Sequence, residues 1–143
     1  MSNTPSETIP HAQIDVQWIG GLTFEAGRLQ GPKVRIDGTA QTAPSPFDML
    51  LAAIATCASV DVVAILGKQR TPANTLGVRV EANRLDSTPH RLASVTLHFT
   101  IAAPGTTNEK ATRAVALSVT KYCSVRSSLV ADVPVTWTVE LEG

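Results

Sequence analysis

Apolar and polar positions alternate with a period of two along several stretches of the chain, the mark of strands that lay one face on a core. Ile14, Val16 and Trp18 alternate with Asp15 and Gln17, which predicts a half-buried strand. Gly20-Gly21 is a hairpin-turn dipeptide, and Leu22 to Ala26 returns as a second strand. Lys33 to Asp37 makes a third, with Val34 and Ile36 on one face. Later, Leu76, Val78, Val80 and Ala82 alternate with polar partners to give a fourth strand. Val95, Leu97, Phe99 and Ile101, interleaved with Thr96, His98 and Thr100, give the clearest strand pattern. Val133, Val135, Trp137, Val139 and Leu141 form a last one.

Between the third and fourth strands the pattern changes. Ser45 to Lys68 reads as a long helix: Ser45 is a good N-cap, Pro46 suits the first helical position, and Asp48 completes a capping box. No charge occurs from Met49 to Val60, and small residues lie on every side, so the helix is expected to be buried all round. Asp48 and Asp61 interrupt the apolar run, which favours a core helix over a membrane span. Pro72 ends it. Thr106 followed by Glu109 predicts a second capping box, opening a helix to about Tyr122 with Ala111, Ala114, Val115, Ser118, Val119 and Tyr122 on its apolar face. Cys123 falls where that helix ends or kinks, and the residues after Ser124 can add a further turn.

The predicted order is βββαββαβ: strands joined by short turns, with helices between the groups, hence an α+β fold with antiparallel sheets around a long central apolar helix. One sheet and one other helix cover only part of such a rod. Either the sheet curls around it or a second copy packs on it, and a homodimer is the expected solution. Residues 1–12, with Pro5 and Pro10, read as a loose arm, and 13–143 as a single domain.

Composition narrows the function. Twelve basic and twelve acidic residues cancel, which gives no electrostatic case for nucleic acid or an anionic membrane. The N-terminus lacks a basic region followed by an apolar one, so it is no secretory signal and the expected location is cytoplasmic. The two cysteines make neither a disulfide scaffold nor a zinc motif.

Those cysteines are the chemical candidates. A free cysteine often serves only as a small buried hydrophobe. A reactive one needs its thiolate stabilised. Cys57 lies about eleven residues into the helix, beyond the reach of the helix dipole. Asp61, at i+4 on the same face, would raise the thiol pKa, so help must come from elsewhere in the fold. Asp61 itself needs a partner, with Arg84, Arg113 and Arg126 as candidates. Asp48 lies nine residues before Cys57, half a turn round the helix, where capping explains it better than catalysis. His11, His90 and His98 form no metal motif and are expected to be solvated.

The segments SPFDMLLAAIATCASVDVV, VEANRLDSTPHRLASVTLHF and RAVALSVTKYCSVRSSL together resemble the OsmC/Ohr family of bacterial hydroperoxide-detoxifying proteins, and within it the OsmC-like branch. The resemblance implies an intertwined α+β homodimer with its active sites at the subunit interface. It further implies Cys57 as the peroxide-attacking thiol and Cys123 as the resolving thiol, working on apolar organic hydroperoxides. A dithiol reductant would reset the pair, and no metal, flavin or haem would be needed. Two positions depart from the family pattern: Phe47 stands where members carry a glutamate, and Gly20-Gly21 stands where their hairpin carries an arginine, with Arg28 and Arg35 nearby. A non-catalytic dimeric binding protein, or a thiol–disulfide protein acting on something other than a peroxide, is the rival reading.

Overall fold

The computed structural model describes residues 12–143, so the expected N-terminal arm and His11 lie outside the described residues apart from residue 12. The chain forms two compact units, one ending at Met49 and one running from Leu50 to Gly143. The α+β architecture agrees with the order of elements read from the sequence.

The first unit is an antiparallel sheet of β1 (Asp15–Trp18), β2 (Thr23–Gly27) and β3 (Val34–Asp37), in that order. Gly20 and Gly21 both take positive φ, in a loop of three residues, 20–22, between Ile19 and Thr23. The turn is closed by Thr23 N–H to the Gly20 carbonyl at 2.9 Å, and the Trp18 indole donates to Gly21 O at 3.0 Å. The alternation in β1 does not bury a face in this chain: Val16 and Trp18 are 61% and 62% exposed. β1 is an edge strand, and of this unit's described residues only Ala26 and Asp37 are buried.

Asp37 organises the loop that follows. Its carboxylate accepts from the N–H and hydroxyl of Thr39 at 2.9 and 2.8 Å, from Gln41 N–H at 3.2 Å, and from the N–H and hydroxyl of Thr42 at 2.9 and 2.8 Å. The backbone N–H groups of Thr39 and Thr42, followed by the two hydroxyls, hold its pKa far below the usual carboxylate range.

Helix α1 spans Pro46–Lys68 and starts with the expected capping box: Ser45 N–H donates to Asp48 at 3.0 Å, and Asp48 N–H to Ser45 Oγ at 3.1 Å. It ends as Arg70 turns left-handed and Thr71 N–H reaches back to Leu66 O at 3.0 Å, just before Pro72. By length and composition α1 passes as a membrane span, the two aspartates notwithstanding, with a hydropathy of 2.3 over its best window. Ile54, Ala55, Ala58, Val62 and Leu66 are nonetheless buried in protein, as in a core helix. The expectation of burial on all sides fails within one chain: Val60 and Val63 are 68% and 50% exposed. Burial follows a stripe at i, i+4 spacing, because one chain covers only one side of the rod.

In the second unit, β4 (Thr75–Arg84), β5 (Leu92–Ala102) and β6 (Val135–Leu141) form a sheet in that order. Val95, Leu97, Phe99 and Ile101 of β5 are all buried, as their alternation predicts. β4 and β5 are antiparallel, but β6 runs parallel to β5, from Val95↔Val135 to Ile101↔Leu141. The purely antiparallel expectation is corrected here: a helical crossover separates the two strands, and such a connection returns the chain in the same direction.

That crossover contains α2 (Asn108–Leu117), a π-helical turn (Ser118–Tyr122) and a single turn, α3 (Ser124–Ser127). The N-cap of α2 is Thr107, whose hydroxyl accepts Lys110 N–H at 3.1 Å, one residue later than expected. Ala111, Ala114, Val115, Ser118 and Val119 are buried as predicted. Tyr122 is 50% exposed, because the wider π turn rotates it away from that face.

Candidate thiol site

The site lies wholly within the second unit, where α1 meets the start of α3. Cys57 is half-buried and Cys123 fully buried, and both are free thiols. Cys123 leaves the π turn in an extended conformation and becomes the N-cap of α3, its sulfur accepting Arg126 N–H at 3.3 Å. The same sulfur lies 3.9 Å from the Ile54 carbonyl of α1. Cys57 Sγ lies 3.9 Å from Ser124 Oγ.

This arrangement separates the two thiols chemically. Partial burial pushes the Cys57 pKa up, but the N–H of Val125, the thiol of Cys123, the hydroxyl of Ser124 and the N–H of Ser124 outweigh it, and the net shift is downward. Burial pushes Cys123 up, Arg126 N–H opposes this, and the hydrogen bond with Cys57 together with the charge on Cys57 adds to the rise. Of the pair, Cys57 is therefore the readier to lose its proton and Cys123 the readier to keep it. Such a pair combines an activated nucleophile with a protonated thiol beside it.

The structure thus brings Cys57 and Cys123 together and supplies the help that Cys57 lacks in its own helix. The donors are backbone N–H groups and a hydroxyl rather than a cation. The sequence reading missed Ser124 and Val125 as participants. The only available signal was their place directly after Cys123, at the start of a possible helical turn.

Other expected candidates fall elsewhere. The Asp48 carboxylate is engaged in the α1 cap. Asp61 is half-buried and lines a surface hollow of about 340 Å³ with Ala64, Ile65, Lys68, Leu117 and Tyr122. Among the described residues no hydrogen bond or ion pair joins it to Arg113 or Arg126, and Arg84 Nε donates to His90 O at 2.8 Å. Arg35 pairs with Glu25 at 3.4 Å. His98 is not simply solvated: it bridges Glu81 and Thr138, each at 2.9 Å, on the outer face of the sheet. No three potential metal ligands gather among the described residues.

An α+β chain with a cysteine midway along its central helix and a second at the start of α3 defines a class, and the OsmC-like protein family model matches residues 38–138. The chain belongs to the OsmC-like family. Protein YhfA of Escherichia coli K12 is 35% identical over 130 residues, covering 90% of this chain and 97% of that protein. The OsmC-like protein of Mycoplasma pneumoniae shares the fold at a TM-score of 0.80 and 16% identity, over 95% of this chain and all of that one. An organic hydroperoxide resistance protein of Legionella pneumophila shares it at a TM-score of 0.66 and 16% identity, over 94% and 99% of the two chains.

Proposed function

We propose that this protein is a thiol-dependent peroxidase that reduces organic hydroperoxides to alcohols, acting as a cytoplasmic homodimer with its sites at the subunit interface. Family membership supports a redox or peroxide-related role. The observation that carries the finer reading is the placing of both thiols where α1 meets α3, Cys57 Sγ 3.9 Å from Ser124 Oγ and Cys123 Sγ 3.9 Å from the Ile54 carbonyl, with one thiol lowered in pKa and the other raised.

The Cys57 thiolate attacks the terminal oxygen of the hydroperoxide, the O–O bond breaks, and the alcohol leaves after taking a proton. Cys57 becomes a sulfenic acid. Cys123, already adjacent, condenses with it to form a disulfide and release water. An external dithiol then regenerates both thiols by exchange. The chemistry runs on sulfur alone. The uncharged, small-residue stretch of α1 on either side of Cys57 suits alkyl substrates better than hydrogen peroxide.

The test is consumption of cumene hydroperoxide by the reduced protein with excess dithiol, run beside Cys57→Ser and Cys123→Ser. The expected result is turnover that vanishes with Cys57→Ser, and a Cys57–Cys123 disulfide in oxidised wild type. Slow loss of peroxide, no faster than with free cysteine and unchanged by either substitution, would sink the reading.

A further inference from the structure

The sulfur of Cys57 has two side-chain neighbours of opposite character. Cys123 is buried, whereas Ser124 is exposed, with its Oγ 3.9 Å from the sulfur. Ser124 Oγ has no other hydrogen-bond partner among the described residues. Its backbone is held in α3, where its carbonyl accepts the Ser128 hydroxyl at 2.8 Å. The hydroxyl is thus a donor with a fixed base and a free rotor, on the solvent side of the nucleophile. An electrophile arriving from solvent meets it before it meets Cys123.

We propose that Ser124 is a catalytic residue: its hydroxyl donates to the Cys57 thiolate at rest and to the departing oxygen as the peroxide bond breaks. This rests on the peroxidase reading and deepens it. In that step a sulfur lone pair forms the S–O bond to the terminal oxygen, and the O–O pair leaves on the alkoxide. Sulfur is oxidised to the sulfenic acid, the peroxide is reduced, and solvent supplies the proton that completes the alcohol. Negative charge therefore passes from sulfur to an oxygen a few ångströms away, and a donor that can rotate follows it. A donor aimed where charge develops acts on the transition state more than on the resting thiolate. A separation of 3.9 Å is loose for the resting state, as hydrogen bonds that tighten only with substrate in place often are.

Two electrophiles on one thiol separate this role from mere tuning. Cumene hydroperoxide expels an alkoxide that needs a donor, whereas iodoacetamide expels iodide, which does not. Rates with the reduced full chain are compared on the high-pH plateau, where Cys57 is all thiolate. Ser124→Ala is expected to slow sulfenic acid formation on the order of 10²-fold while leaving alkylation nearly unchanged, and Ser124→Thr to restore most of the peroxide rate. An equal loss with both electrophiles, or no loss with either, would overturn the role of Ser124 and leave the peroxidase reading standing. A wild type no faster than free cysteine with peroxide would remove the peroxidase reading, and this inference with it.

Discussion

The sulfur of Cys123 accepts the backbone N–H of Arg126 at 3.3 Å and caps α3, and its thiol is among the groups that lower the Cys57 pKa. The thiolate fraction grows as pH rises through the pKa, and the Cys57 pKa is lowered. Alkylation of Cys57, followed by mass spectrometry against pH, should therefore level off through a midpoint below the ordinary thiol value of about 8.5. Cys123→Ala removes one donor and should raise that midpoint, slowing alkylation at neutral pH. Cys123→Ser keeps a donor and should stay near wild type. An unmoved midpoint in Cys123→Ala would show that Cys123 does not tune Cys57.

Thr106 and Thr107 make a matched pair of tests. Thr107 caps α2, so Thr107→Ala should cost about 1 kcal/mol of stability. Thr106 Oγ1 is buried with no hydrogen-bond partner among the described residues, so Thr106→Val removes only an unsatisfied group. It should be neutral or stabilising in denaturant unfolding. Equal costs for the two would contradict the placement of the cap.

Asp37 makes stability depend on acid. Its folded pKa is depressed, so its contribution is complete above the unfolded value of about 3.9 and is lost as pH falls below it. Asp37→Asn should lower the melting temperature clearly at pH 7, because an amide oxygen cannot replace two charged acceptors. The gap between variant and wild type should narrow as pH falls from about 4 towards 2, because the unfolded chain's carboxylate takes up a proton there that the folded one resists. A gap that stays constant across that range would rule out the charged acceptor as its cause.

The open side of α1 tests the proposed dimer. Val60 and Val63, with Thr56 and Ser59, form an apolar surface hollow. If a second copy covers it, Val63→Glu buries a carboxylate in the contact and should convert a dimer into a monomer, read by light scattering. A variant that keeps the wild-type mass would place the contact elsewhere.

Local chemistry was legible in the sequence where one residue answers another a few positions away. Ser45 with Asp48, Gly20 with Gly21, and the Val95–Ile101 alternation all appear in the structure as read. The errors are of longer range or finer grain. Thr106 and Thr107 are both acceptable caps, and only the fit of α2 into the fold chooses between them. The direction of β6 depends on where a 32-residue crossover, Ala103 to Pro134, delivers the chain, which periodicity within β6 cannot report. The donors around Cys57 come from far along the chain, Ser124 and Val125 lying 67 and 68 positions away, and two of them are backbone N–H groups that carry no side-chain signature. Periodicity in β1 and α1 marks faces able to be buried, and one chain does not bury them all.

The π turn at Ser118–Tyr122 carries one residue more than an α-helix would need to cover the same arc. Removing a single residue there would let the segment relax to α over that same arc, whereas winding all five residues as α would swing Cys123 about 100° around the helix axis. The nearness of Cys123 to α1 thus hangs on how this turn is wound rather than on which residues fill it.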